Sequence, residues 1–257
     1  MGTMIDDFEV LQKIAESDRG GIYQARDRRD GRIIALKKFE DLARLPTWER
    51  EAHALSTIRG DNVVKLMESG ILPQGAYLAL EWLEGESLDA RASRDPLSLT
   101  EFARLTSQTL DALHSVHRAG FLHRDVKPAN LQQGGDGIWT LIDFGESRPL
   151  GVSSRQPLVG SIHCMAPEQF EERHLDVRTD LYALGCTLFF ALTSRFAHVG
   201  ETTPEVMTSH LYPEPPALAD ARPDLPASLV AWVEKLMSRL PGDRPQSCQE
   251  ALRTLSA

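Results

Sequence analysis

The sequence predicts an α+β fold, with a small antiparallel β-sheet part carrying one helix and a larger, mainly α-helical part after it. Two observations lead there. The first third alternates extended apolar runs with turn signals, whereas the remainder repeats its apolar positions every three or four residues. At 257 residues the chain can bury one large core or two modest ones. No internal repeat or low-complexity tract interrupts it.

FEVLQKIA and IYQARD read as strands, and RIIALKKF follows Asp30–Gly31, a strong hairpin signal. TWEREAHALSTI changes to helical spacing, with Trp48, Ala52, Leu55 and Ile58 on one stripe. NVVKLMESGI and AYLALEWL return to strand character. The segment EWLEGES marks a boundary between residues 1–83 and 84–257 within a single domain, and a cleft between two such lobes is the expected ligand site. Beyond it, Ser98 and Glu101 stand at capping-box spacing before a helix that stops at Gly120. Phe102, Leu105, Leu113 and Val116 share one face of that helix. A nearly all-apolar helix follows around Leu181–Leu192, and PEPPALADARPDLP reads as a proline-rich loop. SLVAWVEKLMSRL and a last helix opened by Ser247, with Glu250 three residues on, complete the chain.

Composition excludes several classes. The net charge of −9 and a sequence pI near 5.4 argue against a nucleic-acid-binding face, which needs clustered positive charge. Three widely spaced cysteines, Cys164, Cys186 and Cys248, suggest free thiols in a reducing compartment, so a cytoplasmic location is expected. The N-terminus lacks the pattern of a signal peptide. The most apolar run, LYALGCTLFFAL, is about half the ~20 residues of a membrane span. Metal-ligand spacing is missing too: His114 and His117 have no third ligand nearby and read as exposed helix histidines.

The chemistry gathers in HRDVKPAN, residues 123–130, where three basic side chains surround Asp125. Four further motifs fall in order around it: IALK ending in Lys37, REAHAL with Glu51, LIDFG with Asp143, and MAPE with Glu168. Together these resemble the eukaryotic-type protein kinase domain, most nearly its bacterial members, over nearly the whole chain. The resemblance implies a two-lobed fold, ATP as phosphoryl donor, Mg²⁺ with Mn²⁺ as a substitute, and protein substrates with serine or threonine hydroxyls. It implies that Asp125 orients the attacking hydroxyl and Lys127 steadies the transferring phosphate. Lys37, held by Glu51, would meet the non-transferred phosphates, and Asn130 and Asp143 would ligate the metal through hard oxygens. Ile14, Ala15, Ser17, Gly20, Ile22, Ala35, Glu81, Leu83 and Gln132 would line the ATP site. Ser161 stands where a hydroxyl residue contacts the catalytic acid and lysine. Arg124 would bind a phosphate or carboxylate of the downstream loop, His123 would pack beneath it, and Glu168–Arg244 and Asp180 would be structural.

Departures from the pattern are specific. Of the three glycines in the family's phosphate loop only Gly20 is kept, with Ala15 and Ser17 at the other two places. Cys164 replaces the usual aromatic before the APE motif and reads as a small buried thiol rather than a redox site. Pro157 occupies the common activating phosphosite, which leaves Ser153 and Ser154 as acceptors. The competing readings are a nucleotide-binding pseudokinase that scaffolds partners, favoured by the eroded glycines, and a small-molecule kinase of related fold, disfavoured by the APE and KP segments.

Overall fold

Extended runs of alternating residues build the first part of the chain. In this computed structural model, which describes residues 4–17, 20–151, 161–212 and 217–255, the chain divides into two compact units. The first takes residues up to 59 and 64–84. Its strands β1 (Met4–Ile5), β2 (Phe8–Ser17), β3 (Gly20–Asp27), β4 (Ile33–Phe39), β5 (Leu66–Leu72) and β6 (Gly75–Glu81) form one antiparallel sheet in the order β1-β2-β3-β4-β6-β5. Because side chains alternate between faces, Ile5, Phe8, Ala25, Ile34, Leu36, Tyr77 and Ala79 collect into one core, where Phe8 meets Tyr77 edge-on at 5.5 Å.

Helix α1 (Leu45–Thr57) buries Glu51, Ala54 and Leu55. The indole N–H of Trp48 donates to the Tyr77 carbonyl at 2.9 Å and ties the helix to β6. Strand β2 shifts register between Val10 and Gln12 and again between Lys13 and Ala15. Such irregularities leave a residue outside the ladder, here Leu11 and Ile14, both of which are exposed.

The second unit takes residues 60–63 and 85–257. It contains β7 (Gly85–Ser87), α2 (Leu88–Ala92), α3 (Leu99–Arg118), β8 (Phe121–Leu122), β9 (Leu131–Gly134), β10 (Trp139–Leu141), β11 (Arg148–Pro149), α4 (Pro167–Phe170), α5 (Val177–Thr193), α6 (Thr203–Leu211), α7 (Leu218–Ala221), α8 (Ala227–Leu236) and α9 (Cys248–Leu255). Both bonds of the expected capping box open α3: Glu101 N–H donates to Ser98 Oγ and Ser98 N–H to the Glu101 carboxylate. Helix α5 buries every residue from Thr179 to Leu192, as a helix apolar all round must.

The second unit is mainly helical, as expected, and also carries small antiparallel ladders, β10-β9-β7 and β11-β8. One expectation needs correction here. The proline-rich stretch is not all loop: LADA forms the single turn α7, whose Leu218 is buried and gives its N–H to Glu234 at 3.0 Å. Good helix formers between prolines suffice for one turn when a side chain anchors it. Among the described residues no helix is long and apolar enough to cross a membrane.

Candidate active site

Strand register distributes the predicted residues of the first unit. Ala15 pairs with Ile22, Ile22 with Lys37, and Ala35 shares the face of Lys37, so these four lie on the side of the sheet opposite Ile34 and Leu36. Lys37 Nζ stands 2.7 and 2.9 Å from the two oxygens of Glu51 on α1. Both side chains are largely buried, Glu51 almost fully. Not every predicted residue joins them. Ile14 sits in the β2 irregularity, and Glu81 pairs with Ile34 and accepts the Lys65 N–H at 2.8 Å. Leu83 lies just past β6, half-buried.

Gly20 adopts φ +131°, and a Cβ there would run into the Lys38 carbonyl oxygen. The close approach of β3 to β4 therefore requires glycine at this position. Ser17 pairs with it across the turn.

In the second unit, the turn between β8 and β9 holds Asp125. Lys127 Nζ donates to its Oδ2 at 2.7 Å and the Asn130 amide to the same oxygen at 3.0 Å. The Ser161 N–H donates to its Oδ1 at 2.9 Å. The Ser161 contact thus runs through the backbone, where the sequence suggested the hydroxyl. Asn130 also gives an N–H to the Asp125 carbonyl at 2.8 Å. With its amide nitrogen spent on acceptors, the Asn130 amide oxygen is the atom left to face a cation.

Asp143 follows β10 at φ +60°, and Arg124 precedes Asp125 at φ +68°. Left-handed conformations at non-glycine residues cost about 1–3 kcal/mol and concentrate at functional loops. Asp143 Oδ1 faces the Gly145 N–H at 3.4 Å, and the Ile142 N–H donates to the Asn130 carbonyl at 2.9 Å, which links the two loops. An amide oxygen and a carboxylate are a donor pair suited to Mg²⁺ or Mn²⁺ rather than to a soft metal.

Beneath the loop, Asp180 on α5 is fully buried. It accepts the His123 N–H at 2.9 Å, the Arg124 N–H at 2.8 Å and His117 Nε2–H at 2.8 Å. Burial alone would raise its pKa, but the His117 hydrogen bond and charge, His123 and the Arg124 N–H bring it below the ordinary value. His123 is held neutral by burial. Its Nε2 faces the Ile142 carbonyl and its Nδ1 the Asp125 N–H, which fixes the tautomer with the proton on Nε2. Burial also lowers the Arg124 pKa, against the charges of Glu146 and Asp180.

Glu168 and Arg244 form a bidentate buried pair at 2.7 and 2.9 Å. Cys164 is buried and its thiol pKa is pushed up to about 12 by desolvation, so it is an inert thiol. Gln132 is half-buried on β9, next to the fully buried Leu131. Ser153, Ser154 and Pro157 lie outside the described residues.

His117 corrects the sequence reading, because it is buried against Asp180 and Cys248 rather than exposed. It falls four residues after Leu113 on the apolar stripe of α3, a signal that was available. The expectation of no metal-ligand arrangement also fails: Cys186, His198 and His210 come together in the fold. Spacings of twelve residues do not advertise such a cluster.

The hard-oxygen pair, the buried lysine–glutamate pair and an acid held beside a lysine are the equipment of phosphoryl transfer. The protein-family model described as "Protein kinase domain" matches residues 8–254. Serine/threonine-protein kinase PknE of Mycobacterium tuberculosis is 30% identical over 256 residues, covering 96% of this chain and 45% of that protein. "Probable serine/threonine-protein kinase SCO3848" of Streptomyces coelicolor is 32% identical over 253 residues, covering 90% of this chain and 37% of that protein. The chain belongs to the protein kinase domain family. It spans less than half the length of these relatives.

Proposed function

We propose that this chain is an ATP-dependent protein kinase that transfers the γ-phosphoryl group to serine or threonine hydroxyls of proteins, itself included, with Mg²⁺ or Mn²⁺ as the ion. The observation that carries the reading is the Asp125 carboxylate, held by Lys127, Asn130 and the Ser161 N–H. A hydroxyl placed against Asp125 gives up its proton there as the new oxygen–phosphorus bond forms and the bond from the γ-phosphorus to the bridging oxygen of the departing ADP breaks. Lys127, on the same carboxylate, supplies positive charge beside the transferring group. Asn130 and Asp143 are the proposed metal ligands. The ion, when bound, neutralises phosphate charge and fixes phosphate oxygens.

Lys37, positioned by Glu51, is assigned to the non-transferred phosphates. Ala15, Ile22 and Ala35, which share its face of the sheet, are assigned to one side of the nucleotide with Gly20, and Gln132 to the adenine. Ser153 and Ser154 are the proposed autophosphorylation sites. A cytoplasmic setting is supported by three free, buried cysteines.

The test is phosphate transfer from labelled ATP with Mg²⁺ to a generic protein substrate. Asp125→Asn should lower turnover roughly 10²–10⁴-fold with nucleotide binding nearly unchanged. Wild-type turnover in that variant would overturn the assignment of Asp125. Nucleotide binding without transfer by the wild-type protein would replace the reading with a nucleotide-binding scaffold.

A further inference from the structure

A second cluster of functional side chains in the helical unit has no part in the proposed reaction. Helix α5 supplies Tyr182 and, one turn on, Cys186; the segment before α6 supplies His198; α6 supplies His210. One ligand atom from each of Cys186, His198 and His210 lies within 4.8 Å of the other two. All are buried: Cys186 is 0% exposed, His198 3% and His210 1%. The imidazoles stack with centroids 3.8 Å apart, and the Tyr182 hydroxyl lies 2.7 Å from His210 Nδ1 and 3.1 Å from His198 Nε2.

Proton counting shows that hydrogen bonding does not satisfy this cluster. The Ile162 carbonyl, 2.9 Å from His210 Nε2, can only accept, so Nε2 carries the proton and Nδ1 is a lone pair. Both rings lie in the buried interior, where the neutral imidazole is the favoured form. Tyr182 has one proton to give, and His210 Nδ1 is the nearer acceptor. His198 must then donate from Nε2, which leaves its Nδ1 as a lone pair. That atom is buried and makes no hydrogen bond of good geometry, although the Ser209 backbone acts on the same ring. Apart from the weak Cys186 S–H donor, nothing in the cluster offers this nitrogen a proton, and a buried lone pair beside a second imidazole and a thiol suits an electron-pair acceptor.

We infer that Cys186, His198 and His210 form a site for a zinc-class divalent metal ion, with the Tyr182 oxygen or a water as fourth ligand. Two imidazole nitrogens and a thiolate are the donor set that Zn²⁺ takes in tetrahedral sites, at ~2.0–2.1 Å for nitrogen and ~2.3 Å for sulfur. Those bond lengths put the donor atoms roughly 3.3–3.6 Å apart, so a cluster whose atoms lie within 4.8 Å of one another contracts by at most about 1.5 Å. Binding converts the Cys186 thiol to a metal-bound thiolate and releases one proton to solvent. The His210 Nε2–H bond to the Ile162 carbonyl matches the outer-shell bond that orients a ligating imidazole. The Arg244 guanidinium lies over the Tyr182 ring at 4.6 Å, but its charge is matched by Glu168. His163 Nδ1 donates to the His198 carbonyl at 2.9 Å. The occupied site would therefore clamp residues 161–163, whose Ser161 N–H reaches Asp125. The site itself does not depend on the kinase reading.

The metal-stripped full chain is titrated with Co²⁺ and then with Zn²⁺. One equivalent of Co²⁺ should produce tetrahedral d–d bands with a thiolate-to-cobalt charge-transfer band, and Zn²⁺ should erase both. The charge-transfer band should vanish in Cys186→Ala. His198→Gln should weaken cobalt binding by at least the ~10–100-fold that even outer-shell partners cost. Zn²⁺ should raise the melting temperature of the wild type and of neither variant. Oxygen ligands such as Asp143 give no charge-transfer band, which separates the two sites. Failure of wild type to give the band, or its persistence in Cys186→Ala, would overturn the inference.

Discussion

The two units handle polar groups in opposite ways. In the sheet unit several ion pairs join residues two apart and keep at least one partner in solvent: Asp27 with Arg29, Asp30 with Arg32, Lys38 with Glu40. Lys37–Glu51 is its dry pair. The helical unit instead buries Asp180 with three donors, Glu168 with Arg244, and the tyrosine–histidine cluster, across separations such as 57 and 76 residues. Strand register places most residues of the sheet unit, with a few longer-range contacts such as Lys37–Glu51 and Tyr77–Asp6 added to it. The helical unit depends on long-range polar contacts, each costly to leave half-made.

That contrast can be broken by mutation. Arg244→Met leaves Glu168 buried without its partner and should destabilise the protein by about 3–5 kcal/mol, read from denaturant unfolding. Adding Glu168→Leu to that variant should recover much of the loss, because no uncompensated charge remains. A single variant as stable as wild type would show that the pair is dispensable.

Acid should distinguish the units next. His198 and His210 titrate near 4 and 3 in the fold, below the ordinary 6.5. The unfolded chain therefore binds more protons than the folded one from pH 6.5 downward, and stability falls as pH drops through that window. At ~1.4 kcal/mol per pH unit crossed, each imidazole should cost of order 3 kcal/mol by pH 4 in the metal-free protein. In the sheet unit a lowered carboxylate pKa has the same sign of effect on stability, in a more acidic window. The Arg29 hydrogen bond lowers Asp27 to about 2, so its contribution persists above the ordinary carboxylate pKa and is lost only as pH falls towards 2. Melting curves from pH 7 to 4 should slope downward, and His198→Gln with His210→Gln should flatten them. An unchanged slope in the double variant would remove these residues as the cause.

Smaller effects refine the picture. Gln132→Leu should tighten ATP binding by about 1 kcal/mol, roughly fivefold. Leu131→Gln, which buries an amide in place of a fully buried leucine, should instead lower stability. A calorimetric titration of ATP that shows no gain for Gln132→Leu would place Gln132 away from the base. Smallest is the exposed pair of the sheet unit: Arg32→Ala should cost less than ~1 kcal/mol, and a larger loss would upset the contrast.

Legibility in the sequence follows the same division. The Asp30–Gly31 turn, the Ser98–Glu101 box and the HRDVKPAN loop could be read because their partners lie within a few residues. Glu168–Arg244 was readable only through family resemblance, since nothing local joins residues 76 apart. His198 and His210 are not legible because their meaning depends on partners that only the fold supplies, whereas the place of His117 on the apolar stripe of α3 is visible in the sequence. Of the short strands of the second unit, IWTLI before Asp143 is readable and contains β10, whereas runs as short as β8 and β11 carry too little periodicity to be read.

The glycine at position 20 has a different bearing on how this protein can change over generations. Its neighbours in the phosphate-loop pattern are Ala15 and Ser17 rather than glycine, so those two places do not demand glycine in this chain. At position 20 any side chain meets the Lys38 carbonyl, and the strand that would have to yield carries Lys37. In a saturation library selected for function, position 20 should admit glycine almost alone, while 15 and 17 accept several residues.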